Sequence, residues 1–259
     1  MNTSTVHLSV TIITFNEERN IERCIRSVQG IADEILVVDS YSTDRTQEIC
    51  EGLGVRFIQH AFEGYVSQKN YALEQATYDY VLSLDADEAL SPELYRSIQS
   101  VKGNWTYDAY QFNRLTNYCG QWIKHSGWYP DTKMRMWNRQ KGRWNGINIH
   151  ESVALSSNTS VQHLKGDLLH YSYYSIAQHV QQIDKFSSIG AAESFRKNKK
   201  CYFMVHIVLN PLFVFVQKYF IQLGMLDGFM GYIVCQNAAY YKFLKYVKLR
   251  ELYRNQATS

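Results

Sequence analysis

Between residues 8 and 100, short runs of β-branched and aromatic residues alternate with amphipathic segments, and this alternation restricts the chain to few folds. LSVTIITF (8–15), EILVVDS (34–40), VRFIQH (55–60) and YDYVLSLD (78–85) read as buried strands. Between them, Ile21, Ile25 and Val28 fall at helical spacing, and Ser42 or Thr43 is placed to cap a helix that Gly52 and Gly54 end. Ser91-Pro92 supplies a cap with proline at the first helical position. Strand–helix–strand units at this spacing form a parallel sheet with right-handed crossovers and helices on both faces. Such a sheet takes its ligands outside the carboxyl ends of the strands.

At 259 residues and 46% apolar, the chain holds enough material for one large domain, or for a domain with an appendage. A net charge of +3 is too weak to suggest wholesale nucleic-acid binding. Nothing before Val10 has the make-up of a signal peptide, so a cytoplasmic protein is expected. The five cysteines are odd in number and nowhere spaced as CxxC, which argues against a disulfide framework and a zinc site.

Residues 104 to 170 lose the rhythm. They mix strand candidates such as YDAYQFN and KMRMWNR with Trp- and Gly-containing loops, and no linker sets them apart. Helical periodicity returns from Ser175. The tract FMVHIVLNPLFVFV (203–216) is the most apolar in the chain, but its 14 residues fall short of a bilayer span. Its flanks are basic: RKNKK (196–200) on one side, and Lys242, Lys245, Lys248, Arg250 and Arg254 on the other. The pattern suits a segment lying in a membrane interface, a buried helix pair or a homodimer face. Asp227-Gly228 reads as the turn between two such helices.

The strand ends carry the chemistry. VLSLDADEAL ends an apolar run on Asp85, Asp87 and Glu88. Asp85 and Asp87 are two apart in an extended segment and so point the same way. Two carboxylates held close call for a cation, and hard oxygen ligands select Mg²⁺ or Mn²⁺. A solvated turn whose acids cap the next helix remains open, and it suits Glu88. TFNEERN (14–20) stands where a phosphate-binding loop needs glycine and has none, so a diphosphate there needs another neutraliser. Asp39, at the second strand end, suits a ribose or base edge, or the cap of the following helix.

These stretches, VTIITFNEERNIERCIRSV, DEILVVDSYSTDRTQEIC, QKNYAL and YVLSLDADE, resemble the N-terminal half of family-2 glycosyltransferases. GWYPDTKMRMW, GINIHESV and LDGFMGY extend the resemblance, more narrowly, to bacterial lipopolysaccharide core glucosyltransferases. It implies an α/β fold of the GT-A (Rossmann-like) kind, with a mostly parallel sheet, helices on both faces and a C-terminal helical extension. The expected division is a transferase domain over residues 1–170 (donor half 1–100, acceptor half 101–170) and the extension over 171–259.

By resemblance, Thr14, Asn16 and Glu17 line the nucleotide pocket and Asp39 lies toward uridine. Asp85 lies near the ribose and sugar, and Asp87 ligates the metal. Gln68, Lys69 and Asn70 fall at a donor-contacting helix start, where Lys69 reads equally as a phosphate partner or a solvated lysine. Inverting transfer needs a base for the acceptor hydroxyl. The Glu-Asp pair that many members use is missing after residue 100, and His150-Glu151 stands nearest to it. Glu151 is taken as the base, His150 as a metal or phosphate contact and Asp131 as the reserve base. Trp122, Trp128, Tyr129 and Trp137 suit either an acceptor wall or packing. Arg135 and Arg139 are candidate grips on acidic groups, Arg135 on the acceptor side.

The expectation is an inverting, metal-dependent transferase. It would move a hexose, glucose by resemblance, from a UDP-sugar to a glycolipid at the cytoplasmic face of the inner membrane. A non-catalytic nucleotide-sugar-binding module and a nucleotidyltransferase stand as alternatives, the latter weakened by the glycine-free TFNEERN.

Overall fold

The computed structural model describes residues 5–147 and 150–258, with the backbone alone at 147, 150, 257 and 258. The chain forms two compact units, Met1–Arg114 with Asp131–Tyr171 and Leu115–Pro130 with Ser172–Ser259.

In the first unit the alternating half folds as its pattern requires. β1 (Leu8–Thr14), β2 (Glu34–Asp39), β3 (Arg56–Gln59) and β4 (Tyr80–Asp85) are parallel in the order β3-β2-β1-β4. They are joined by α1 (Ile21–Val28), α2 (Thr46–Gly52) and α3 (Tyr65–Gln75). Val10, Ile12, Leu36, Val38, Leu82 and Leu84 are fully buried, which is why these strands read as nearly unbroken apolar runs. Register sets Thr14 opposite Asp39 and Ile13 opposite Asp85, so the ends of three strands come level.

Beyond β5 (Glu88–Leu90) and α4 (Pro92–Gly103), the sheet continues with antiparallel pairs. β8 (Asp131–Asn138) pairs with β4, and the first part of β6 (Ala109–Tyr118) pairs with β8. β11 (Val161–Tyr173) pairs with β5, setting His170 opposite Glu88. β9 (Gly142–Ile147) and β10 (His150–Leu155) form a separate ribbon.

Local details depart from expectation. Neither Ser42 nor Thr43 caps α2: the helix starts later, and Asp44 Oδ1 accepts from the Thr46 N–H at 3.0 Å and the Thr46 hydroxyl at 2.6 Å. Glu88 is a buried member of β5 and caps nothing. The α4 cap is Ser91, whose Oγ accepts from the Leu94 N–H, with Pro92 next as expected. Trp137 belongs to the core, where its ring meets Trp144 edge-on and its N–H donates to the Gly142 carbonyl at 2.9 Å.

In the second unit, the end of β6 pairs with β7 (Gln121–Ile123). Ser175 and Gln178 form a reciprocal cap at the start of α5 (Ile176–Arg196). The apolar tract extends past residue 216. α6 (Asn210–Val216) is flanked by π-helical turns Phe203–Leu209 and Gln217–Ile221, giving a 19-residue helix, Phe203–Ile221. By length and composition it is able to cross a membrane, which the sequence tract alone did not reach. A short turn, Gly224–Asp227, leads into α7 (Gly228–Thr258). Asp227 is buried and accepts from the His125 backbone N–H at 2.8 Å, while its Oδ1 meets the His125 ring at 2.9 Å.

A polar triad sits inside this unit. His179 Nδ1 lies 3.0 Å from the Tyr118 hydroxyl and 2.9 Å from Asn237 Nδ2, and Trp128 packs against both rings. Burial depresses the His179 pKa to about 4. A histidine that stays neutral when folded leaves stability intact above pH 6.5, where the unfolded residue is neutral too. As pH falls from 6.5 toward 4, only the unfolded chain gains the proton, so stability is lost across that window. Denaturant titrations at pH 7.5 and 4.5 are expected to show this loss in the parent and a smaller one in His179→Gln.

Candidate active site

The carboxyl ends of the parallel strands hold two kinds of acid: those matched by buried cations and those left exposed to a cleft. Lys69, in α3, is fully buried, and its ammonium lies 2.9 Å from Asp85 Oδ1 and is hydrogen-bonded to Glu151 Oε1. It also sits 4.5 Å from the Trp144 ring centre. Arg135, from β8, reaches Asp85 Oδ2 at 2.9 Å and Glu88 Oε1 at 2.6 Å, and Arg114 lies 3.6 Å from the same Glu88 oxygen. Burial pushes the Asp85 pKa up, but Lys69 and Arg135 outweigh it and hold the carboxyl well below its usual range. Glu151 Oε2 is buried and has no hydrogen-bond partner.

Beside this cluster opens a cleft of about 520 Å³, whose polar lining includes Thr14, Glu17, Ser40, Gln68, Asp87 and His170. Phe15, Phe62 and Tyr65 border it with rings about half exposed. Thr14 Oγ1 is buried without a partner. The Glu17 pKa rises to about 7, chiefly through burial; the Asn20 hydrogen bond opposes the rise, and the charges of Asp87, Asp44 and Asp85 add to it. The rise reflects burial first, with the neighbouring acids adding to it. Asp87 Oδ2 faces His170 Nε2 at 3.1 Å. Among the described residues no three acid, histidine or cysteine side chains gather into a complete metal cage. A carboxylate with an imidazole still suits Mn²⁺ or Mg²⁺ when phosphate oxygens and water complete the shell.

Of the residues expected at the site, Thr14, Glu17, Asp85 and Asp87 meet in the cleft, and Lys69 and Glu151 join them through Asp85. Lys69 is not a solvated lysine: it is buried and bridges two carboxylates. Asn16 adopts a positive φ of 54° and accepts from the Thr43 N–H at 2.8 Å, tying the first strand-end loop to the second. Asp39 is buried and accepts from the Ser42 N–H at 2.8 Å, so it braces that second loop. Gln68 donates to the Ser40 hydroxyl at 3.1 Å, and Asn70 is paired in both directions with the Trp144 backbone.

Several assignments change. Arg135 is 3% exposed and bonded to Asp85 and Glu88, so it holds the acids in place and does not meet an acceptor. Arg139 pairs with Asp79 and donates to the Leu73 and Ala76 carbonyls, and Asp131 pairs with Arg114 and Lys133. Trp128 packs in the second unit, against Tyr118, Tyr173 and His179. The side chain of His150 lies outside the described residues. Three contributors escaped the sequence. His170 is brought to Asp87 only by the β5–β11 register, which no local pattern reveals. Phe62 and Tyr65, aromatic in the polar stretch HAFEGY, did leave a signal.

The model of the family described as glycosyl transferase family 2 matches residues 9–159. An uncharacterised glycosyltransferase of Rickettsia typhi is 35% identical, over 95% of this chain and 87% of its own length. The lipopolysaccharide core biosynthesis glycosyltransferase LpsC of Rhizobium meliloti is 28% identical, over 93% and 91%. Among solved structures, glucosyl-3-phosphoglycerate synthase of Mycobacterium tuberculosis with Mn²⁺, UDP and phosphoglyceric acid is similar over 44% of both chains, at 24% identity and a TM-score of 0.36. TarS of S. aureus is similar over 93% of this chain and 55% of its own, at 16% identity and a TM-score of 0.47.

Removing one cation from a buried cluster leaves carboxylates unmatched. Lys69→Met is therefore expected to cost about 3–5 kcal/mol of stability. Lys69→Met with Glu151→Gln should cost less, because one orphaned charge goes with the lysine. Chemical denaturation of the two variants, at equal pH, checks the pair.

Proposed function

The chain belongs to glycosyl transferase family 2, and we propose that it moves a hexose, glucose by its resemblance, from a UDP-sugar to a lipid-linked saccharide of the lipopolysaccharide core. The likeness to LpsC supports a role in cell-envelope glycan synthesis. The reading includes inversion at the anomeric carbon and a place at the cytoplasmic face of the inner membrane.

The observation that carries the donor assignment is the charge pattern of the cleft. Asp85, Glu88 and Glu151 are matched by Lys69, Arg135 and Arg114, whereas the Glu17 and Asp87 side keeps an excess of negative charge. A diphosphate does not settle on uncompensated carboxylates. Asp87 and His170 would hold a divalent cation there, which when bound supplies charge neutralisation to the leaving diphosphate. Thr14 lines the donor cleft, and the exposed rings of Phe15, Phe62 and Tyr65 suit stacking on a base or sugar face. Ser40 and Gln68, linked by a hydrogen bond, line the same wall.

Glu151 is the proposed base. Lys69 occupies its Oε1, and Oε2, though buried, carries no hydrogen bond, so its lone pairs are uncommitted. In the proposed step the acceptor hydroxyl gives its proton to the Glu151 carboxylate as its oxygen bonds to the anomeric carbon. The bond from that carbon to the phosphate oxygen breaks, and UDP carries off the electron pair. Lys69 and Arg135 fix the carboxylates through this exchange, keeping Asp85 ionised beside the donor.

Glu151→Gln is expected to lower transfer about 10²–10⁴-fold while UDP binding with Mn²⁺ persists, measured by UDP release and calorimetry. Undiminished transfer by this variant would remove Glu151 as the base. Asp87→Asn and His170→Ala should each weaken the metal-dependent part of UDP binding about 10-fold or more. Binding of UDP that is indifferent to Mn²⁺ in the parent protein would overturn the metal assignment.

A further inference from the structure

The second unit carries a surface that glycosyl transfer itself does not require. Along the helix Phe203–Ile221, only Ile207 and Val214 are buried. Leu212, Phe213, Phe220 and Ile221 are 60%, 61%, 52% and 70% exposed, and beyond the turn Leu226 and Phe229 are 61% and 67% exposed. A contiguous apolar face of this kind on a soluble surface marks an interaction site.

What covers it is decided by the groups around it. Tyr202 opens the helix beside a pocket of about 460 Å³ that Lys200, Arg250, Asn198 and Tyr253 also line. Arg250 stacks 5.5 Å from the Phe203 ring centre, at the edge of the apolar face. Among the described residues, Lys200, Lys242, Lys245 and Arg250 form no direct ion pair, whereas nearby Lys197 and Lys248 are paired with Glu193 and Asp184. Burial, then the neighbouring Lys242 and Lys199, lower the Lys245 pKa against the opposing charge of Glu193, so cations predominate around it. An apolar face edged by unmatched cations fits anionic lipid. A second copy placed face to face would bring the same cations together, which like-charge repulsion opposes.

The same packing decides how deep the helix goes. α7 runs back along it: Tyr232 meets Phe215 at 5.8 Å, Tyr246 meets His206 at 4.7 Å, and Arg250 covers Phe203. A helix that crossed the bilayer would carry Lys242, Lys245 and Lys248 of α7 to membrane depth with it, and ionised side chains there are costly. Its length and composition alone do not settle the matter; its partner helix does.

We propose that the second unit seats in one leaflet of an anionic bilayer, with the exposed face of Phe203–Ile221 and the Leu226–Phe229 turn among acyl chains and the Lys200–Arg250 pocket on a lipid phosphate. This deepens the reading of a transferase working on a lipid-linked acceptor, by naming the surface and the lipid chemistry it takes.

Flotation of the full chain with vesicles, without donor or acceptor, tests it. Vesicles of phosphatidylethanolamine with phosphatidylglycerol should carry the protein at least about 10-fold better than phosphatidylcholine vesicles. Leu212→Glu with Phe213→Glu, both at exposed positions, should abolish flotation. Lys200→Gln with Arg250→Gln should lower binding to the anionic vesicles about 10-fold and leave the weak phosphatidylcholine binding unchanged. A fluorophore on a cysteine at position 213 should be quenched by shallow lipid-borne quenchers more than by those at the bilayer centre. Failure to float with anionic vesicles at low salt overturns the proposal. So does quenching strongest at the bilayer centre, or a dimer in sedimentation that the Leu212/Phe213 variant abolishes while vesicles stay unbound. Calorimetry with UDP and Mn²⁺ keeps the two readings apart: a protein that binds UDP but not vesicles defeats only the docking, and one that floats but ignores UDP defeats only the donor assignment.

Discussion

The first unit is organised around the buried charges where β4 ends. Asp85, Glu88 and Glu151 would repel each other and resist burial, so Lys69, Arg135 and Arg114 must come from three further elements to match them. That requirement dictates where the later strands go. β8 lies beside β4 and delivers Arg135, β6 beside β8 delivers Arg114, and α3 points Lys69 inward. An apolar core would have tolerated other strand orders. A charged one accepts only the order in which each acid meets its cation.

This matching also defines the active cleft by contrast. Once the inner acids are neutralised, Glu17 and Asp87 line the cleft beside them, Asp87 against His170, and burial raises the Glu17 pKa. The protein thus uses neighbouring acids differently within a single turn of chain: Glu88 is buried among cations, Asp85 is held by cations yet lines the cleft, and Asp87 opens onto it beside His170. The half-exposed rings of Phe62 and Tyr65 complete the recognition side without adding charge. In the second unit polar groups are treated alike. His179, Tyr118 and Asn237 satisfy each other inside, whereas Lys242 and Lys245 of α7 form no direct ion pair among the described residues.

The parallel half of the fold was legible because its code is local. Val10, Ile12 and Leu36 announce buried strands, and Ser91-Pro92 announces a helix start, each through its own near neighbours. The strand-end acids were legible as a group from their sequence proximity, but the extended spacing did not hold: β4 ends at Asp85 and the chain turns at 86–87, so Asp85 meets Lys69 and Arg135 while Asp87 meets His170. Arg135 and Arg139 could not be placed, because an arginine in a strand reads alike whether it grips a ligand or a buried acid. Glu88 looked like a cap because a short buried strand between a loop and a helix leaves almost no pattern in three residues.

By itself the sequence determined the strand–helix alternation, the glycine-free first loop, the acids after β4 and an apolar helix between basic flanks. Each follows from side-chain chemistry repeated at short range. Tertiary structure alone decided that Lys69 joins Asp85 to Glu151, that His170 faces Asp87, and that α7 lays its lysines along the apolar helix. Those pairings join residues tens of positions apart, and their energies depend on burial and distance, which exist only once the strands have found their register.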